Sequence, residues 1–365
     1  MLRARRLSSS VLTAREHALC RIDGVLASAR EGFPCYTERG RWVTTPDGGW
    51  SGGLWVGQLW LAYEWTGDRR YRDAGLALLP ALEARIARAD ADVDLGFLLL
   101  PSFVRGYEIF GDDRFRRIAL RGAARMLDFY HERSGMIYTV YPARGARYGH
   151  PVGSAIVDIM MNLALLWWAH AETGDSHYFE VAADHAARCR ELHVRADGST
   201  FHVVDFDLAS GDIFGRGTIH GHGDDSTWAR GQAWALHGFA LAARAMGRPD
   251  FAETAAQLSC YFHERLPADG RCYWDLGDPA IPDAVRDTSA AAIAADGWLK
   301  MEGEWPAIGR QVIEALADGS LTPPDEDGVL AGATAYKTQG RGVMGATVWG
   351  DYYFLHGLGE VWVGG

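Results

Sequence analysis

Apolar residues recur along this chain at the spacing of an α-helix. Phe115, Ile118, Ala119, Gly122 and Met126 share one helical face, as do Leu163, Leu166, Trp167 and His170. The pattern predicts twelve helices, near 12–31, 54–66, 69–88, 95–110, 113–132, 154–173, 176–192, 227–246, 249–265, 287–301, 305–318 and 346–361. Strand-like patches are short and fall between helices, at 136–141, 200–206 and 272–276. No alternation of strand and helix predicts a parallel sheet.

One phrase joins the helices. A helix runs into Gly, an acidic or polar pair follows, and an aromatic opens the next helix. It reads Tyr63-Glu-Trp-Thr-Gly67-Asp-Arg-Arg-Tyr71, Tyr107-Glu-Ile-Phe-Gly111-Asp-Asp-Arg-Phe115 and His170-Ala-Glu-Thr-Gly174-Asp-Ser-His-Tyr178. Weaker copies centre on Gly247 and Gly303. Gly just past a helix takes the left-handed C′ conformation, and Asp or Ser after it caps the next helix. Each phrase is thus the turn of a helical hairpin. Six hairpins with no linker between them predict a single all-α domain, an (α/α)6 barrel spanning 1–365. Residues 1–11 are expected to be a poorly ordered extension. A solenoid would call for a stricter period and polar capping repeats.

Composition narrows the function. Asp and Glu outnumber Lys and Arg by 47 to 36, a net charge of −11, which opposes binding to nucleic acid or anionic membrane. No apolar run approaches the ~20 residues of a spanning helix. No secretory signal is read at the N-terminus. The five cysteines are odd in number and scattered, without a CxxC pair, as expected of free thiols in a cytoplasmic protein. Fourteen Trp are many for 365 residues, and Trp often lines ligand clefts as well as cores. No GxGxxG, GxxxxGK or GxSxG context is present, so no nucleotide cofactor or serine nucleophile is expected.

The long loops all follow one set of helices and hold the unusual residues. Trp50-Ser-Gly-Gly-Leu-Trp55 places an indole at a pocket mouth or in a packing cluster. Asp94, before an apolar helix, reads first as a cap. Asp158 is more telling. It falls within Ser154-Ala-Ile-Val-Asp158-Ile-Met-Met-Asn162, inside the helix expected over 154–173, where no cap role exists. Burial of a carboxylate there is costly and favours its protonated form, as a general acid requires. His220-Gly-His222-Gly-Asp-Asp225 invites a metal, but no third His has ligand spacing, so no metal is expected. Trp228, Arg230 and Trp234 follow, suited to a planar anionic sugar through stacking and a guanidinium. An interhelical salt bridge is the plainer reading of Arg230. Asp287 reads as an N-cap, and Trp349 to Tyr353 as part of a pocket wall.

Taken together and in this order, these segments resemble the unsaturated glucuronyl hydrolases, glycoside hydrolase family 88. The resemblance rests on Asp94-Leu-Gly-Phe97, Asp158-Ile-Met-Met-Asn162-Leu, Asp224-Asp-Ser-Thr-Trp-Ala-Arg-Gly-Gln-Ala-Trp234, Arg286-Asp-Thr-Ser-Ala-Ala-Ala-Ile293 and Trp349-Gly-Asp-Tyr-Tyr353, and covers about 50–353. It implies the same (α/α)6 fold, no cofactor, and substrates that polysaccharide lyases leave with a C4=C5 double bond in the nonreducing uronate. It implies Asp158 as the acid and base of a hydration that triggers glycoside cleavage. Asp94 would hold the sugar hydroxyls and, as a like charge, help keep Asp158 protonated. Trp50, Trp228, Trp234, Arg230 and His202 would line the substrate site. His220 stands where a known member resembles Gln beside the substrate carboxylate, so pH dependence is expected to differ. Tyr336-Lys-Thr-Gln-Gly-Arg341 lacks the serines that members favouring sulfated substrates carry. A monomer or homodimer is expected. Three other functions stay open: the sister unsaturated rhamnogalacturonyl hydrolases, a sugar 2-epimerase, and a noncatalytic saccharide-binding protein.

Overall fold

The computed structural model describes residues 9–28, 31–88 and 93–363. Helices are α1 (Ser9–Ala27), α2 (Gly52–Thr66), α3 (Arg69–Ile86), α4 (Leu95–Leu99), α5 (Arg105–Phe110), α6 (Asp113–Leu127), α7 (Pro142–Tyr148), α8 (Ile159–Thr173), α9 (Ser176–Leu192), α10 (Ala229–Met246), α11 (Pro249–Glu264), α12 (Thr288–Trp298), α13 (Trp305–Gly319) and α14 (Val348–Val363). Strands are β1 (Phe33–Glu38), β2 (Arg41–Thr45), β3 (Tyr130–His131), β4 (Met136–Ile137), β5 (Gly153–Ile156), β6 (Val203–Phe206) and β7 (Ile213–Gly217).

Six inner units, α2, α4–α5, α8, α10, α12 and α14, each pack on the next, and α14 returns to α2. The ring is closed, which excludes the solenoid. Helices α3, α6, α9, α11, α13 and α1 back it from outside. Composition explains the layers. Every residue of α12 is buried, which only an inner helix allows. Helix α6 buries the single stripe Phe115, Ile118, Ala119, Gly122, Ala123 and Met126. Glycine lets the inner helices approach: a Cβ on Gly96 would sit 2.5 Å from Asn162 Cα, and one on Gly238 the same distance from Met160 Cβ.

The hairpin turns form as their sequence dictates. Gly67, Gly111, Gly174, Gly247 and Gly303 all have φ between +61° and +75°. Asp68, Asp112 and Asp175 accept from Arg70, Arg114 and His177 N–H at 2.9–3.0 Å. These short turns lie at one end of the barrel, at the C-termini of the inner helices. All the long connections lie at the other end.

Several expectations are corrected. The first helix starts at Ser9, inside the segment expected to be an extension; residues 1–8 and Asp92 lie outside the described residues. The helix expected over 95–110 is interrupted by a wider π turn at Leu100–Val104. Pro101 has no N–H to give there, and Ser102 Oγ donates to the Leu98 carbonyl. The helix expected over 154–173 begins only at Ile159, because 153–156 pair as β5 with β6, Gly153 facing Phe206. With β7 these strands form a three-stranded antiparallel sheet over one side of the open end. The hairpin β1–β2 and helix α7 had no sequence expectation.

Candidate active site

The site is built on helix starts. Asp94, Asp158, Trp228 and Asp287 occupy the N-cap positions of α4, α8, α10 and α12, and Ser51 that of α2 beside Trp50. Their free N–H groups and dipoles converge on the open end and favour anions there. Asp287 caps its helix through Ser289 N–H at 3.1 Å. Asp94 and Asp158 make no such side-chain cap bond, so both carboxylates are released to other partners. The mid-helix argument for Asp158 therefore fails, and so does the cap reading of Asp94.

All eight side chains singled out from the sequence line one cavity of about 300 Å³: Trp50, Asp94, Asp158, His202, His220, Trp228, Arg230 and Trp234. Asp158 is only 13% exposed, and its Oδ2 is buried 3.5 Å from His202 Nε2 without a hydrogen-bond partner. That leaves Oδ1 as the oxygen that meets the cavity. Ile219 N–H donates to His202 Nδ1 at 3.1 Å. A neutral His202 thus carries its hydrogen on Nε2, facing Asp158. His220 stacks on His202, ring centroids 5.2 Å apart, and lies against Trp228 and Tyr336. Burial drives its imidazole well below the ordinary histidine range, and His202 and Arg230 add to the effect. His220 is therefore neutral near pH 7, and its Nδ1 is buried without a partner. His222 turns elsewhere, against Trp274. Among the described residues no group of three or more His, Cys, Asp or Glu could hold a metal ion.

Arg230 follows the plainer reading made of it, a salt bridge between helices. It lines the cavity, yet its guanidinium is committed behind the wall. It donates to Asp287 Oδ2 at 3.0 Å and to the Thr334 and Ala335 carbonyls at 2.6 Å. Its plane lies over the indoles of Trp228 and Trp349, 4.5 and 5.0 Å away. Trp50 packs on Trp349 at 4.9 Å, and Trp234 on Phe97 at 4.8 Å and Tyr353 at 5.3 Å. Trp349 and Tyr353 thus brace the wall from behind. Arg341 is held on the Tyr36 hydroxyl, and Lys337 lies 5.9 Å from the Trp274 ring.

Sequence reasoning missed Tyr141, Ile156, Ile219 and Tyr336 in the lining, and gave Asn162 no role. Asn162 is fully buried between α8 and α4. Its signal was an amide on an otherwise apolar helix face.

A closed helical barrel with an acidic, indole-walled cavity at the N-termini of its inner helices is the class that fold and site define. Comparison with known proteins makes the relationship specific. No family model matches the chain. It is 34% identical over 332 residues to the unsaturated glucuronyl hydrolase of Bacillus sp. strain GL1, covering 87% of each chain. It is 34% identical over 325 residues to the unsaturated chondroitin disaccharide hydrolase of Streptococcus pneumoniae, covering 85% of this chain and 81% of that one. The crystal structure of the Bacillus enzyme superposes with a TM-score of 0.89 at 33% identity, over 95% of this chain and 96% of that one. The chain belongs to the unsaturated glucuronyl hydrolase family of glycoside hydrolases.

Proposed function

We propose that this enzyme removes the 4,5-unsaturated uronate from the nonreducing end of lyase-generated oligosaccharides, with Asp158 as acid and base. The observation that carries the reading is the pair of uncapped carboxylates, Asp94 and Asp158, facing one indole-walled cavity. The unsaturated sugar is an enol ether conjugated to a carboxylate. Asp158 gives its proton to C4, and positive charge builds at C5. Water attacks C5 and returns a proton to Asp158. The hemiketal so formed breaks its bond to the ring oxygen, and the aglycone leaves from the hemiacetal exposed at C1. One carboxylate suffices because nothing attacks C1 directly, unlike the paired carboxylates of ordinary glycosidases.

The other residues fit this chemistry. Asp94 accepts from the sugar hydroxyls. The indoles of Trp50 and Trp228 offer faces to the ring. Helix N-termini and the unpartnered His220 favour the uronate carboxylate. The absence of serines from Tyr336-Lys-Thr-Gln-Gly-Arg341 argues against a preference for sulfated aglycones, while Arg341, held on the Tyr36 hydroxyl, keeps its charge. The test is loss of the enol-ether ultraviolet band across a panel of lyase-generated disaccharides, sulfated and unsulfated, with glucosyl, hexosaminyl and rhamnosyl aglycones. Turnover of unsulfated glucuronyl disaccharides is expected. Exclusive turnover of rhamnosyl substrates would move the enzyme to the sister activity. Interconversion of saturated amino sugars, or tight binding without turnover, would overturn the proposal.

A further inference from the structure

We infer that Asn162 is a positioning residue for this reaction, its side-chain amide holding the two carboxylates in fixed relation. The inference rests on the hydration chemistry proposed above and adds a residue to it. Asn162 Oδ1 accepts the Phe97 N–H at 2.9 Å. Its Nδ2 donates to Asp94 Oδ1 at 3.1 Å and to the backbone carbonyl of Asp158 at 3.3 Å. The orientation is forced, since only the oxygen edge of the amide can receive the Phe97 hydrogen. One NH₂ group therefore ties the Asp94 carboxylate at the start of α4 to Asp158 at the start of α8.

Two consequences follow for chemistry. First, spacing is set locally. Gly96 brings α4 against Asn162 so closely that a Cβ would meet Asn162 Cα at 2.5 Å, so the clamp has little play. Second, the clamp is polar in one direction. An N–H donated to a carboxylate favours its charged form, and Asn162 gives its N–H to the carboxylate of Asp94 but only to the backbone of Asp158. Asn162 thereby holds the Asp94 carboxylate directly and leaves the Asp158 carboxylate unbonded to it. An apolar residue would fill the same volume but do neither.

Asn162→Asp separates this role from simple packing. It retains an acceptor for Phe97 N–H but, when ionised, sets a third carboxylate against Asp94. Its ionisable neighbours by hydrogen bond are Asp94, through the carboxylate, and Asp158, through the backbone carbonyl; His202, His220 and Arg230 line the cavity that those two residues face. When protonated, the new carboxyl can again donate to Asp94. On unsaturated disaccharide, kcat at neutral pH is expected to fall by about 10–100-fold, the scale of a misplaced catalytic group, with KM within about threefold. Activity is expected to recover toward acid, moving the pH optimum down by roughly one unit. In an Asp94→Asn background the same substitution should cost little, because the two act as a unit. Should Asn162→Asp not fold, Asn162→Ser, too short to span both partners, is expected to lower kcat about tenfold with KM unchanged. Wild-type turnover with an unaltered kcat and pH optimum in the variant overturns this inference alone. No turnover by wild type on any disaccharide overturns the proposed function, and the inference with it.

Discussion

Asparagine differs from Asp158 only in an amide nitrogen in place of one carboxyl oxygen, and the two side chains occupy nearly the same space. Asp158→Asn therefore removes the transferable hydrogen and leaves the cavity standing. Its kcat is expected to fall by about 10²–10⁴, the contribution of a positioned general acid, with thermal unfolding unchanged. Ultraviolet-monitored turnover reads the first and calorimetry the second; a variant within a few-fold of wild type ends the assignment. Arg230 presents the opposite balance. Its charge is fully buried against Asp287, itself without solvent exposure. Truncation to alanine strands that carboxylate, although Ser289 and Thr334 still donate to it. Arg230→Ala is expected to cost about 3–5 kcal/mol in denaturant unfolding, where loss of an exposed ion pair would cost under about 1. Stability unchanged by the substitution would mean that the guanidinium serves substrate and not the wall.

At the scale of elements, what could be read in the chain was what depends on neighbours in sequence. The hairpin turns are such cases: Gly111 needs a positive φ, and Asp112 three residues before Phe115 needs only its own backbone to cap α6. Helix periodicity likewise marked where most helices lie, though not which layer each joins. The site residues entered through their motifs, while their placement did not. Asp158 lies at a helix start because β5 pairs with β6, some fifty residues onward, and no local pattern records that register. Asn162 was visible as a polar residue among Met and Leu, but its partners belong to α4. The π turn escaped because Pro101 within an apolar run is equally consistent with a helix end. Two substitutions contrast the local and nonlocal terms. Asp112→Ala removes one cap at the far end of the barrel and is expected to cost about 1 kcal/mol with activity intact. Gly96→Ala forces a methyl against Asn162 and is expected to cost about 1–3 kcal/mol and to lower kcat together with stability. Unequal effects on kcat read the distinction; a fully active Gly96→Ala enzyme would show the α4–α8 contact to be compliant.

Closing the ring places ionisable groups in an interior that water does not reach, and the whole molecule carries the consequence. At the floor of the barrel Asp296 joins three elements, accepting from His356 Nδ1 at 2.7 Å and Lys300 Nζ at 2.8 Å and lying 3.5 Å from His237 Nε2. Burial pushes His237 down to about 3, His185 to about 3 and His193 to about 4. These three are neutral when folded and gain protons on unfolding below about pH 6.5, so each withdraws stability as pH falls from there toward its folded value. Asp351 works the other way. Burial raises it to about 7, so the folded state holds a proton that the unfolded chain releases above about pH 4, and its contribution declines as pH rises. Near pH 5 these three histidines outweigh the one carboxyl by about two protons, and His17 and His220, also lowered by burial, add in the same sense. Stability should then drop by at least roughly 3 kcal/mol per pH unit on acidification, well before the surface carboxylates titrate. Unfolding midpoints in denaturant at pH 7, 6 and 5 measure the slope directly. His185→Asn, which preserves an acceptor for the Ile137 N–H at this buried position, should flatten the slope by about one proton. A midpoint independent of pH over this range would mean that the buried imidazoles reach solvent without global unfolding.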